Sequence, residues 1–376
     1  MNLPPYKLIT SAPDWQASLE QLQSQPRLAI DLEANSMYAY REQVCLIQIS
    51  IPGQDFIIDP LAEIDLSPLG AMIADPEIEK VFHAAEYDLM LLKRQFEWEL
   101  QSLFDTMWAA RILGYQRYGL ANMLEQLYQV KLNKRFQKSN WCKRPLLPEQ
   151  LRYAQLDTHY LLQLRDDLAN ELKQGQHEQE SHVIFAEQCM VTPHDHTFDP
   201  DSFWSITGSH ELDRNAQTVL KELHVYRNEQ AAKRNQPLFK IFNDRTLMEL
   251  ANKLPMQLSD LRNIHGMSNG QIRRYGKQII TCIKNARSLP PPSLPKRNKR
   301  PPEKVVHRFD KLHHWRKVRA QARGVESDVI ISREALWHIA KINPQTLSDL
   351  AQIDLVGQWR SQVYGKEILQ ILQNRH

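Results

Sequence analysis

No run of about 18 or more consecutive apolar residues occurs in the 376-residue chain, so no transmembrane helix is expected. Met1 to Asp14 holds three prolines and no apolar stretch, and a signal peptide is not expected either. Cysteine is scarce. Cys45, Cys142, Cys189 and Cys282 lie far apart with no CxxC pair. That spacing predicts neither a disulfide framework nor a zinc site, and it fits a reducing cytoplasm. There is no P-loop and no G-x-G-x-x-G, which argues against a nucleotide-driven motor, a dehydrogenase or a nucleotide cofactor. No Ser or Cys nucleophile motif appears.

What is present is ordinary in bulk and uneven in distribution. Hydrophobic residues make up 42% and charged residues 24%, enough apolar material for a core in each of two or three domains. The net charge of +3 conceals an asymmetry. Residues 1–200 hold 17 Lys+Arg and 28 Asp+Glu, a net of −11, whereas residues 201–376 hold 30 and 16, a net of +14. A basic half suggests a polyanion partner, most simply a nucleic acid.

The acidic half reads as α/β. In Arg27 to Ala34 the apolar Leu28, Ile30 and Leu32 alternate with Asp31 and Glu33, a strand pattern. VCLIQISI (Val44 to Ile51) and DFIID (Asp55 to Asp59) flank the turn Pro52-Gly53-Gln54, which predicts an antiparallel meander. Strands at Lys80 to His83 and Leu103-Phe104 follow, with a helix between them from about Ala84 to Phe96 and a helix capped by Asp105 or Thr106 after them. Helices are predicted over Leu120 to Val130 and, as one long element, from Pro148 to about Lys173. Gln174 to Thr207 reads as a connector.

The basic half reads as all helix and contains a repeat. With an offset of 89, 12 of the 34 residues Leu247 to Ile280 recur, including Ser259-Asp260-Leu261 as Ser348-Asp349-Leu350 and Tyr275-Gly276-Lys277 as Tyr364-Gly365-Lys366. That period means two copies of one small helical domain. Between them, Arg287 to Lys311 carries six prolines and the run PKRNKRPPEK, a stiff basic linker. The expected boundaries are 1–195 for the α/β domain, 210–290 for the first helical copy, 291–310 for the linker and 311–376 for the second copy.

Four acids stand out. Asp31 and Glu33, two apart on a strand, face the same side, where a cation would relieve their repulsion. Taken alone, the pair reads more simply as two exposed acids at a strand end, because a D-x-E tripeptide is common. Asp88 borders the apolar stripe Ala85, Leu89, Leu92, Phe96; Glu86 points away and is the weaker candidate. Asp157 occupies an inward place in the series Ala154, Asp157, Leu161, Leu164, Leu168, Leu172. A buried carboxylate needs a partner, either a metal ion or an arginine. Tyr153, four residues earlier, shares its face. Hard oxygen ligands favour Mg²⁺ or Mn²⁺. His83 reads as a satisfied cleft histidine, and His313-His314-Trp315 as a solvated helix start.

These residues resemble the DEDD superfamily of 3′→5′ exonucleases, which has a ribonuclease H-like core. Asp31 and Glu33 in AIDLEANSMYAY match its first motif, Asp88 in HAAEYDLMLL its second, and Tyr153 and Asp157 in YAQLD the Y-x-x-x-D motif of its tyrosine branch. WCKRPL (Trp141 to Leu146) resembles the stretch preceding the third motif in the ribonuclease D family. The repeat, with YRNEQAAKRNQPLFKIFNDRTLMELA and LRNIHGMSNGQIRRYG, is similar to the HRDC domain. The resemblance implies an exonuclease domain with a mixed sheet and flanking helices, followed by two all-α HRDC domains. It implies Asp31, Glu33, Asp88 and Asp157 holding two Mg²⁺ or Mn²⁺ ions, with Tyr153 at the attacking water. The expected activity is 3′→5′ trimming of RNA, most simply tRNA precursors, by a monomer with no membrane association. Lys143, Arg144, Arg273, Arg274 and Lys277 are the candidate RNA contacts. A DNA exonuclease and a non-catalytic nucleic-acid-binding protein are the alternatives. Ala34 stands where many family members carry an aromatic residue, and Leu355 replaces Gly266 in the second copy.

Overall fold

A computed structural model of the chain describes residues 3–193, 197–295 and 300–373. Six strands form one mixed sheet: β1 (Lys7–Ile9), β2 (Arg27–Ala34), β3 (Val44–Ile51), β4 (Gln54–Ile58), β5 (Glu79–Phe82) and β6 (Leu103–Asp105), in the order β1-β4-β3-β2-β5-β6. β3 pairs antiparallel with β4, as the short turn predicts, while β1–β4, β2–β5 and β5–β6 are parallel. Every residue of β3 is buried, which suits its near-continuous apolar run and its place inside the sheet.

The helices of this domain are α1 (Ala12–Gln23), α2 (Ser67–Ala74), α3 (Glu86–Phe96), α4 (Thr106–Ile112), α5 (Leu120–Tyr128), α6 (Pro148–His159), α7 (Leu161–Gln174) and α8 (Glu178–Cys189). Three expectations change here. β1, α1 and α2 were not anticipated. The single helix from Pro148 to Lys173 is two, parted at Tyr160, whose ψ of −3° interrupts the helical geometry. No glycine or proline marks that break, so the apolar periodicity runs straight through it. The connector Gln174 to Thr207 holds α8 and a 3-10 turn at Pro200–Ser205, with Ile184, Phe185, Phe203 and Trp204 buried; its residues 194–196 lie outside the described residues.

The cysteine expectation is also corrected. Cys45 on β3 and Cys142 form a disulfide across 97 residues of chain. Residues so distant in sequence carry no spacing signal, and only the fold brings them together. Cys189 and Cys282 are free thiols.

The first helical copy comprises α9 (Arg214–Arg234), α10 (Leu238–Ile241), α11 (Asp244–Lys253) and α12 (Asn269–Ala286). The second comprises α13 (Glu303–Arg323), α14 (Ser327–Ile330), α15 (Arg333–Ile342), α16 (Leu347–Ala351) and α17 (Gly357–Gln373). Helix α13 starts eight residues before the expected end of the linker, so residues 303–310 are helical; residues 296–299 of the basic run lie outside the described residues. His313-His314-Trp315 accordingly sits in the middle of α13 and not at a helix start, and Trp315 donates to Glu367 at 2.7 Å.

The chain forms two compact units. One takes Met1–Glu33, Val44–Pro193 and Lys299–His376; the other takes Ala34–Gln43 and His194–Asn298. Within the first unit the second helical copy packs on the α/β domain, with α17 against α8. Arg111 on α4 reaches Glu326 and Asp328, Arg323 holds the buried Glu180 at 2.5 and 2.6 Å, and Arg360 pairs with Glu187. The second unit has its own core around Leu223, Phe242, Leu250, Tyr275 and Ile279.

Candidate active site

Three carboxylates converge. Asp31 and Glu33 on β2 and Asp157 on α6 each offer an oxygen, and the three oxygens lie within 4.8 Å of one another. Among the described residues this is the only group of three or more His, Cys, Asp or Glu side chains so placed. Two residues apart on a strand, Asp31 and Glu33 point to one side, and one helix brings Asp157 to the same place.

Asp88, on the first turn of α3, is 7% exposed and stands outside that tight trio. It belongs to the same electrostatic cluster all the same. Burial, then the negative charges of Asp31 and Asp105, push its carboxyl well above the usual range. Glu33 is raised by burial first and then by Asp31, Asp157 and Asp88; Asp157 by burial and Asp31. Burial pushes Asp31 up to about 7. Four acids driven upward together form a site that disfavours its own ionisation, and a bound cation reverses that penalty. An all-oxygen donor set of this kind fits a hard divalent metal ion.

Tyr153 lies one turn before Asp157 and is hydrogen-bonded to it. Burial, then the charges of Asp157, Glu33 and Asp31, raise its phenol far above the ordinary value, so the hydroxyl keeps its proton. Its ring is seated by Trp141, with centroids 5.9 Å apart, and by Phe136 at 6.4 Å. Trp141, Cys45, Leu46, Ile57, Leu151 and Ala154 form the apolar cluster beneath it, which the Cys45–Cys142 bond crosses. The opposite face of α6 is pinned by polar bonds: Gln155 and His159 both reach Asp55 Oδ2, at 2.6 and 2.8 Å, and Thr158 meets Ser50 at 2.7 Å.

Two supporting residues escaped the sequence reading. Gln48, fully buried on β3, has its amide end against Asp31; since only acceptors face it there, the nitrogen is assigned to that side, where it donates to the carboxylate at 3.2 Å and the carbonyl at 2.7 Å. A lone glutamine in the run VCLIQISI was the available signal. Asp105 caps α4 as expected, but its carboxylate also accepts from Ala84 N–H at 3.0 Å and Ala85 N–H at 2.8 Å. It thereby holds the turn before α3, where Ala84 has a φ of 64°, and so aims Asp88. His83 is a satisfied cleft residue, as expected. Burial lowers its pKa to about 4, and Nδ1 lies 2.9 Å from the Thr106 hydroxyl.

Among the candidate RNA contacts, Arg144 is corrected. Its guanidinium is spent on Asp59, at 2.5 and 2.7 Å, and on the carbonyls of Trp141 and Cys45, so it braces the loop before α6. Lys143 is exposed, as are Arg273, Arg274 and Lys277 on α12. In the first copy Gly266 has a φ of 83°, and a Cβ there would collide with the Thr246 hydroxyl, so glycine is required.

Residues 6–173 match the 3′-5′ exonuclease family, and residues 216–283 and 307–372 each match the HRDC domain. A mixed sheet carrying this acid cluster defines the class: a 3′-5′ exonuclease whose family depends on divalent metal ions. Ribonuclease D of Gluconacetobacter diazotrophicus is 30% identical over 98% of this chain and 93% of its own, and that of Pseudomonas paraeruginosa is 28% identical over 93% of each. The crystal structure of Escherichia coli RNase D, an exoribonuclease involved in structured RNA processing, superposes with a TM-score of 0.71 at 25% identity, covering 99% of this chain and 100% of that one. The chain belongs to the ribonuclease D family and is a 3′-5′ exoribonuclease, a hydrolase.

Proposed function

We propose that the chain trims structured RNA from its 3′ end, with tRNA precursors as substrates, and that it hydrolyses the terminal phosphodiester at a pair of divalent ions to release nucleoside 5′-monophosphates. The observation that carries this reading is the convergence of Asp31, Glu33 and Asp157 beside Tyr153. Asp31, Glu33, Asp88 and Asp157 would hold the ions, Mg²⁺ or Mn²⁺. When bound, such a pair lowers the pKa of water and steadies the leaving oxygen.

The chain's own residues supply positioning. Gln48 orients Asp31, Asp105 fixes the turn that carries Asp88, and the disulfide-crossed apolar cluster seats Tyr153. Tyr153, one turn before Asp157 and hydrogen-bonded to it, would orient the attacking water by hydrogen bonding. Exposed Arg273, Arg274 and Lys277 would contact RNA phosphates, which adds affinity with little sequence information. The protein would act as a monomer. It would act in the cytoplasm, where the Cys45–Cys142 bond is open to reduction.

The test is digestion of a 5′-labelled tRNA bearing a 3′ extension, beside a DNA strand of matched sequence, with Mg²⁺, Mn²⁺ or chelator. Stepwise shortening of the RNA that halts near the mature end, and is abolished by chelator, supports the proposal. Equal digestion of the DNA strand would favour the DNA exonuclease, because discrimination rests on contacts to the 2′-hydroxyl.

A further inference from the structure

Residues 34–43, which leave the catalytic strand β2 directly after Glu33, form a loop with a closed neck and an anchored tip. At the neck, Asn35 is 6% exposed and its side-chain oxygen accepts from Gln43 N–H at 2.8 Å. The Asn35 carbonyl accepts from Tyr38 N–H at 2.7 Å and Ala39 N–H at 3.1 Å, which folds the loop into a tight turn.

The tip is built into the first helical copy. Tyr40 packs against its core and donates its hydroxyl to Asn228 Oδ1 at 2.6 Å, while its backbone N–H donates to Asn235 Oδ1 at 3.1 Å. Asn228 lies within α9, and Asn235 caps its end with a φ of 45°, a left-handed conformation that asparagine tolerates better than most residues. The Lys240 ammonium sits 4.1 Å from the centre of the Tyr38 ring. Ordering a free loop costs about 1–2 kcal/mol of backbone entropy per residue. A tip already bonded at two asparagines carries that cost in the folded state.

We propose that Tyr40 is a positioning residue for the exonuclease reaction. Clipped to Asn228 and Asn235, it immobilises the loop that follows Glu33, so the first helical copy supports turnover as well as RNA affinity. The inference rests on the exonuclease activity of the chain. It predicts an effect on a substrate too short to need the basic surface.

The experiment uses the full chain, the variants Tyr40→Phe and Asn228→Ala, and their combination. The substrate is a 5′-labelled hexaribonucleotide at saturating Mg²⁺. Each variant should lose about fivefold in kcat, the scale of one hydrogen bond, with KM within twofold. The double variant should be no worse than the singles, because both remove the same bond. Amide hydrogen exchange over residues 34–43 should quicken in all three. Unchanged kcat would overturn the proposal whether or not exchange quickened, as would a loss confined to KM. A wild-type chain inactive on the hexamer would count against the exonuclease reading instead, and unchanged exchange would still sink the clip.

Discussion

Arg111 donates to Glu326 through both Nε, at 3.1 Å, and Nη2, at 2.7 Å, joining residues 215 apart in the chain. The same guanidinium reaches Asp328 at 2.6 Å and lies 4.0 Å over the Trp108 ring. Its side chain is 9% exposed. These contacts, with Arg323–Glu180 and Arg360–Glu187, make the second helical copy a brace on the α/β domain. Arg111→Ala should cost about 1–2 kcal/mol, less than a fully buried pair because Glu326 and Asp328 are half exposed. At about 2–4 °C per kcal/mol, thermal unfolding should show a clear drop in Tm. An unchanged Tm would mean that the Arg111 contacts add nothing to the joint, leaving it to Arg323–Glu180, Arg360–Glu187 and apolar packing.

The acid cluster makes the strongest demand on activity. Asp31→Asn and Asp157→Asn should each abolish nearly all turnover while the far-ultraviolet circular dichroism stays that of the wild type. Near-normal turnover in either variant would remove the metal assignment.

Tyr153→Phe keeps the ring between Trp141 and Phe136 and deletes only the hydroxyl. Metal affinity should hold, and kcat should fall by about 10²-fold or more, the scale of acid–base and positioning effects. Weak metal binding with normal turnover at saturation would contradict the water-orienting role.

The metal-free fold should lose stability as pH rises. Asp31 has a folded pKa of about 7 against 3.8 for the free group, so the folded state holds its proton more tightly than the unfolded chain does. Stability contributed by that group is complete below 3.8 and declines as pH climbs toward 7. Glu33, Asp88 and Asp157 shift in the same direction. The Tm gain on adding saturating Mg²⁺ should therefore be larger at pH 8 than at pH 5. Equal gains at both would mean that the acids ionise freely without metal.

The basic surface of α12 should set the salt dependence of RNA binding. Replacing Arg273, Arg274 and Lys277 with alanine should flatten the plot of log affinity against log salt, by about 0.7–0.9 for each phosphate no longer neutralised. It should leave kcat on a hexanucleotide unchanged. A wild-type slope in the triple variant would move the RNA-binding surface elsewhere.

By itself the sequence determined the elements with strong periodicity: β2 to β6, α3, and a helical repeat whose two copies each match the HRDC domain. It also marked the acids, because a strand fixes residues i and i+2 on one side and a helix fixes Tyr153 against Asp157. Tertiary structure decided what depends on distant partners. The break at Tyr160 has no local breaker. Gln48 and Asp105 acquire their roles only when β3 lies beside β2 and the turn before α3 meets α4. Cys45 meets Cys142 across 97 residues, and Arg144, read as an RNA contact, is consumed by Asp59, 85 residues earlier. Local pattern encodes which face a side chain takes; which group it meets there is set by packing, and packing joins segments that no sequence window contains together.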